Sequence, residues 1–218
     1  MTEGDFLGPI GNATPKYEAS NPVVRKLLHR FLRHLDEAVT SLQPSSILDV
    51  GCGEGVVTLR LAQLLPSTKV LGVDAGESHL RDEWDACSAP NLSFAGGSAY
   101  DLPFADGSFD LVCAVEVLEH LERPRDALAE MSRVAGRALL LSVPNEPSWR
   151  ISHMLAGRDV RKFGDTPGHI NHWSKRAFAE LVSDYGRIEK VDGVFPWTLA
   201  VARVQEAGLA SPPLSGGS

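Results

Sequence analysis

Ser46-Ile47-Leu48-Asp49-Val50-Gly51-Cys52-Gly53-Glu54-Gly55 reads as a short buried strand that reaches an acidic residue near its end and opens directly into three alternate glycines. Ile47, Leu48 and Val50 supply the apolar run of a central parallel strand. The glycines after it clear side chains from the path between a ligand and the backbone N–H groups. Helical spacing resumes at Val56, Val57, Leu59, Leu61, Ala62, Leu64 and Leu65. Strand, glycine turn and helix in this order form the context that lifts a glycine motif above chance.

The spacing narrows the ligand. A dinucleotide fold uses G-x-G-x-x-G, with the third glycine allowing close helix packing under a pyrophosphate. Here that position holds Val56 and the glycine comes one residue early, which disfavours NAD or FAD. Asp49 points the same way, because a carboxylate repels a pyrophosphate and attracts an ammonium or sulfonium. On these residues the chain resembles the class I S-adenosylmethionine-dependent methyltransferases, whose first motif is an acidic residue, x, G-x-G-x-G. Asp49, Gly51, Gly53 and Gly55 fit it without a gap, with Cys52 inside the turn.

Composition sets the outer bounds. The chain has 218 residues, 43% hydrophobic and 22% charged, and a mean hydropathy of −0.08, which suits one soluble domain with an ample core. The net charge of −7 and pI near 5.5 argue against a nucleic-acid acceptor, which calls for a basic face. Met1 to Ile10 shows neither a basic start nor an apolar stretch, and no window reaches the length of a membrane span, so a cytoplasmic protein without stable membrane insertion is expected. Cys52, Cys87 and Cys113 are scattered and odd in number, and imply neither a disulfide framework nor a zinc site.

Helices and strands alternate along the chain. Asn21-Pro22 starts a helix that runs through Leu42. Strands are expected at Lys69–Asp74, Leu92–Phe94, Phe109–Val115 and Ala138–Val143, with helices at Glu77–Ser88 and Pro124–Val134 between them. Ser174 caps a last helix, and Ile188–Phe195 with Thr198–Val204 form a closing pair of strands. This alternation predicts an α/β, doubly wound, mostly parallel sheet with helices on both faces, and the resemblance implies the Rossmann-like methyltransferase version of it. One domain spans residues 1–207, with an N-terminal cap over about 1–43 and a lid insertion over about 145–173. Residues 208–218, rich in Pro, Gly and Ser, are expected to be a flexible tail.

The resemblance assigns cofactor roles residue by residue. Asp74, with Ala75 beside it, ends the second strand where a carboxylate accepts from both ribose hydroxyls. Gly97-Ser98-Ala99 falls where the family has Gly-Asp-Ala and recognises adenine with the acid; here Ser98 offers a hydroxyl without charge. Arg25 lies in an Asn-Pro-containing element like one of the quinone O-methyltransferases and is a candidate partner for the methionine carboxylate. Tyr17, before the first helix, is a candidate for orienting the sulfonium or the acceptor, or equally for packing.

Glu116-Val117-Leu118-Glu119-His120 follows the fourth strand at the edge where open α/β sheets bind ligands. Three readings stand side by side. Glu116 lines the cofactor methionine while Glu119 and His120 cap the next helix; His120 is a general base; or the element holds a cation, as a similar one does in some ubiquinone-biosynthesis O-methyltransferases. No metal is assigned. The segment Asn145 to Trp173 is long for a connection and concentrates Trp149, Arg150, His153, His169, His172 and Trp173, the makings of an acceptor lid. Trp149, Arg150 and Trp173 are its substrate-binding candidates, although Trp173 also suits an anchor to the core. His169 and His172 are its acid/base or orienting candidates. Ile151, Met154, Leu155 and Phe163 among basic residues suit an amphipathic lid more than a membrane contact.

The resemblance implies a methyltransferase acting on a small molecule with S-adenosylmethionine. The histidines favour O-methylation. N- or C-methylation, a lipid quinone acceptor, and a cofactor-binding protein without catalysis are the alternatives.

Overall fold

The computed structural model describes residues 22–146 and 169–204. Tyr17, Trp149, Arg150, His153, the greater part of the expected lid and the tail lie outside the described residues. Among the described residues seven strands form one sheet in the order β3-β2-β1-β4-β5-β7-β6. They are β1 (Ser46–Val50), β2 (Lys69–Asp74), β3 (Leu92–Gly96), β4 (Phe109–Val115), β5 (Ala135–Pro144), β6 (Arg187–Val194) and β7 (Trp197–Arg203). Strands β1 to β5 run parallel, and β7 enters antiparallel between β5 and β6. Among the described residues the helices are α1 (Pro22–Leu42), α2 (Val56–Leu64), α3 (Glu77–Ala86), α4 (Pro124–Val134) and α5 (Lys175–Ser183).

Strand alternation divides the core in two, because successive side chains point to opposite faces. Ile47, Leu111, Cys113 and Leu140 join α1 and α2 in one cluster, while Leu48, Val50, Val112, Ala114, Leu139 and Leu141 join α4 and α5 in the other. Strands covered on both faces read as continuous apolar runs, which is why Ile47-Leu48 and Leu139-Leu140-Leu141 carry no polar partner. Asp49 shares the Ile47 face and therefore points toward α2.

β1 is the switch point. The chain winds outward from β1 to β3, returns to β4 on the other side of β1, and leaves a crevice at the carboxyl ends of these two central strands. Their register, Ile47 beside Leu111 and Asp49 beside Cys113, brings Gly51 and Glu116 to the same edge. The expected bounds of α1, β2, β4 and α4 match the observed ones. β5 starts earlier than expected, at Ala135 directly after α4, because β4 pairs with it from Phe109. The turn Leu118–His120 is a short 3₁₀ helix that the sequence pattern did not mark.

Leu35 of α1 is fully buried between the sheet and its neighbours. Leu35→Ala is expected to cost about 2–5 kcal/mol of stability in urea unfolding; a loss below about 1 kcal/mol would contradict this packing.

Candidate cofactor and acceptor site

The turn after β1 is a left-handed glycine chain. Gly51, Gly53 and Gly55 have φ of 73°, 52° and 81°, a region that side chains adopt at a cost. Two of the three are also sterically closed. A Cβ on Gly51 would lie 2.7 Å from a Val117 methyl carbon, and one on Gly55 would lie 2.6 Å from the Phe94 ring. At Gly53 a Cβ would meet nothing within 4 Å, so this is where the turn faces open space.

The expectation that the turn offers its N–H groups to a ligand needs correction. Gly51 N and Cys52 N both donate to Val73 O, at 2.7 and 3.2 Å, and Gly55 N donates to Cys52 O at 3.0 Å. Gly53 N donates to Asp74 Oδ2 at 2.9 Å. These donors are spent on the turn itself, which suits a ligand that brings no phosphate to this point. Cys52 is accordingly a buried packing residue whose thiol is pushed well above its ordinary pKa, first by burial and then by Asp49 and Asp74.

Asp74 sits at the end of β2 and its other oxygen, Oδ1, accepts from Gly76 N at 2.8 Å. Each carboxylate oxygen keeps acceptor capacity for a ribose hydroxyl. Ala75 is exposed in the turn between β2 and α3. Trp84 of α3 closes this corner: its indole N–H donates to Gly53 O at 2.7 Å, and it stacks on Phe94 with centroids 5.2 Å apart. Sequence reasoning missed Trp84, which carries no motif and is brought to the turn only by α3 folding back.

Asp49 is 2% exposed and accepts from Thr58 Oγ1 of α2 at 2.7 Å. Burial pushes its pKa up to about 7, the Thr58 hydrogen bond opposes this, and the nearby Asp74 charge adds to it. Thr58 also escaped the sequence reading, since one threonine in an apolar helix carries no signal of its own. Ser98 is exposed, and its hydroxyl oxygen accepts from Tyr100 N at 3.2 Å. One lone pair is thus used in a turn, and the hydroxyl keeps a second lone pair and its O–H donor. Ala99 packs partly buried against the α4-side cluster. Arg25 lies exposed in the first turns of α1.

Glu116 follows β4 with φ of 59°, strained for a residue with a side chain. Its carboxylate accepts from Trp197 Nε1 at 2.8 Å and from Ser142 Oγ at 3.3 Å. The expected lining of the cofactor methionine by this side chain is corrected: both oxygens are turned toward β5 and β7. The reason is the left-handed turn, which sends Glu116 to the α1 face, where Trp197 packs on Phe31.

Glu119 and His120 stand in the 3₁₀ turn. Glu119 is 1% exposed, while the His120 side chain is 33% exposed with Nε2 3.9 Å from Glu119 Oε1. His169 is buried and meets His120 edge to face, centroids 4.9 Å apart. The structure thus unites His169 with His120 across the sequence. His172 stands apart: its Nδ1 lies 3.3 Å from Glu146 Oε1, and its ring is exposed. Trp173 packs against Phe178, centroids 6.1 Å apart, and its carbonyl accepts from Glu146 N at 3.0 Å. It anchors the segment to the α5 side, the packing that the sequence offered beside a substrate-binding role.

A crevice at the switch point, an acid at the end of β2 and an open glycine at the end of β1 share one edge of the sheet. Residues 48–138 match the family described as a methyltransferase domain. The chain is 32% identical over 156 residues to a ubiquinone/menaquinone biosynthesis C-methyltransferase of Dinoroseobacter shibae, covering 66% of this chain and 61% of that protein. It is 31% identical over 120 residues to an O-methyltransferase of Aspergillus sclerotiorum, covering 53% and 45%. The chain therefore spans less than two thirds of the length of either relative. Among solved structures, a Pyrococcus horikoshii protein superposes with TM-score 0.67 at 19% identity, over 88% of this chain and 97% of that one. The magnesium protoporphyrin IX methyltransferase of Synechocystis with bound S-adenosylhomocysteine superposes with TM-score 0.60 at 19% identity, over 85% and 88%.

Filling the open position should separate binding from folding. Gly53→Val is expected to weaken S-adenosylmethionine binding at least about tenfold in calorimetry. Gly55→Ala, which runs into Phe94, is expected to cost about 1–3 kcal/mol of stability. An unchanged affinity in the first variant would contradict the placement of the ligand.

The raised pKa of Asp49 has a defined sign. Its folded pKa of about 7 lies above the ordinary 3.8, so its contribution to stability is full below that ordinary value and is lost as pH rises through about 7. Melting the ligand-free protein beside Asp49→Asn from acid to neutral pH checks this. The wild type should lose stability relative to the variant over that window, and parallel curves would count against an ionisable, desolvated Asp49.

Proposed function

We propose that the protein transfers a methyl group to a small molecule, with an oxygen of that molecule as the acceptor. The observation that supports this reading is the set of imidazoles along the acceptor side of the crevice: His120 and His169 beside Glu119, and His172 beside Glu146. Asp74, the space over Gly53, Ala75, Ser98 and Ala99 form the cofactor side, with Asp49 beneath the turn. When bound, S-adenosylmethionine supplies an electrophilic methyl group and leaves as S-adenosylhomocysteine.

The residues of this chain then have three tasks. Asp74 orients the ribose through lone pairs that its loop contacts leave available. The turn Val117–His120, packed on Gly51, holds the acceptor edge against the cofactor edge, so that most of the rate gain comes from alignment. A histidine takes the proton from the acceptor hydroxyl as the oxygen attacks. His120 and His172 are both accessible for this, with Glu119 and Glu146 beside them. Arg25 and Tyr17, at the N-terminal side, are proposed to orient the methionine end, and Trp149 and Arg150 the acceptor.

The relatives carry names of O-, N- and C-methyltransferases, among them an ajmaline N-methyltransferase of Rauvolfia serpentina, so nitrogen and carbon acceptors form the second reading. A small soluble acceptor is favoured over nucleic acid by the net charge of −7. Among the described residues no helix is long and apolar enough to cross a membrane, and a cytoplasmic location is part of this proposal.

Calorimetry with S-adenosylmethionine and S-adenosylhomocysteine tests the reading first, and failure to bind either overturns it. With a responsive acceptor in hand, His120→Ala and His172→Ala should leave cofactor affinity near wild type. At least one of them should lower turnover by about 10²–10⁴-fold. Wild-type rates in both variants would place the base elsewhere.

A further inference from the structure

Helix α3 is fastened to the rest of the protein by one narrow face. Among its ten residues, all of them described, Trp84 alone is buried, at 7% exposure. Leu80 and Cys87 flank it, partly buried, at the spacing of one helical face, while Arg81, Asp82, Glu83 and Asp85 are exposed. This face meets the turn after β1 at two consecutive carbonyls. The Trp84 indole N–H donates to Gly53 O at 2.7 Å, and the Cys87 thiol donates to Glu54 O at 3.5 Å.

Gly53 is gripped from the other side as well, because its N–H donates to Asp74 Oδ2 at 2.9 Å. The residue over which the ligand space opens therefore has both backbone polar atoms fixed, the donor by the end of β2 and the acceptor by α3. The indole is itself held flat on Phe94, with 10° between the rings. Phe94 in turn fills the side-chain space of Gly55 and Gly72, where a Cβ would lie 2.6 and 2.7 Å from it. One aromatic pair thus locks α3, β2, β3 and the glycine turn together.

We propose that Trp84 is a positioning residue for the cofactor: its indole couples the docking of α3 to the shape of the glycine turn, and so sets the affinity for S-adenosylmethionine. This rests on the reading of the space over Gly53 as the cofactor side. A turn with glycine at 51, 53 and 55 has many backbone conformations open to it. Apparent affinity falls with the fraction of molecules in the competent one, and a buried N–H aimed at Gly53 O raises that fraction. The coupling is reciprocal. A ligand that holds the turn must also hold α3, including the part of the helix farthest from β2.

The test is read without turnover, on the full chain and well below its melting temperature. Calorimetry with S-adenosylmethionine compares the wild type with Trp84→Phe and with a protein carrying benzothienylalanine at position 84, which keeps the ring size and the stack and removes only the N–H. Both are expected to bind roughly three- to tenfold more weakly. Leu35→Ala, destabilised far from the turn, is the control for a merely structural role and should keep its affinity within about twofold. Hydrogen exchange gives the second measurement. Saturating S-adenosylmethionine should slow the amides of residues 81–86 in the wild type, and do so less in Trp84→Phe. Affinity within about twofold of wild type in the folded benzothienyl protein overturns the proposal, as does an equal loss in Leu35→Ala, or exchange at residues 81–86 that the ligand leaves unchanged. A wild type that binds no S-adenosylmethionine removes the cofactor reading and this inference together. A wild type that binds it, beside variants that bind as well, removes only the inference.

Discussion

The carboxylate of Asp74 accepts one N–H from the turn after β1 and one from the turn after β2, and the carboxyl edge of the sheet depends on that double contact. Parallel strands supply no hairpin to fix the loops at their ends. Here one acid does so, with Val73 O taking two further N–H groups from the same turn. The cost is a chain of left-handed residues, and glycine at 51, 53 and 55 keeps that cost low. The turn is then stiff before any ligand arrives, and the open space over Gly53 is a fixed feature of the fold.

The same turn carries the coupling between the two halves of the crevice. Gly51 is small because Val117 occupies the place of its side chain. The ends of β1 and β4 are therefore in van der Waals contact through one residue pair, and His120 on the 3₁₀ turn is placed by packing. Glu116 bends the chain out of β4 and is held by Trp197, which in turn rests on Phe31 of α1. Thus α1 and the antiparallel β7 both bear on the geometry of the acceptor side.

Electrostatics follow from this packing. Asp49 is kept under the turn by Thr58 and surrounded by the thiols of Cys52 and Cys113, whose own pKa values are pushed up by burial and by that carboxylate. A negative group with so little water responds strongly to a nearby positive charge, which is the property that a sulfonium-bearing ligand would meet. His172 and Glu146, by contrast, lie where solvent reaches the imidazole.

How much was legible in the sequence depends on whether the signal was local. The apolar runs at Ile47-Leu48, Lys69–Asp74 and Phe109–Val115, the alternate glycines and the proline-led helix at Pro124 are each decided by neighbours in the chain, so they fixed the alternating α/β order, the central strand and the cofactor class. The contacts that complete the site are made between residues distant in sequence and carry no local mark. Trp84 over Gly53, Thr58 under Asp49, Trp197 on Glu116 and His169 against His120 exist only because helices fold back across the sheet and β7 inserts beside β5. The sequence by itself therefore determined the scaffold and where its ligand edge lies, because periodicity and turn chemistry are local. Only the tertiary structure decided which side chains share that edge, turning Glu116 to Trp197 and Ser142 and bringing Glu119, His120 and His169 together, because burial and long-range pairing select among side chains that look alike in the chain.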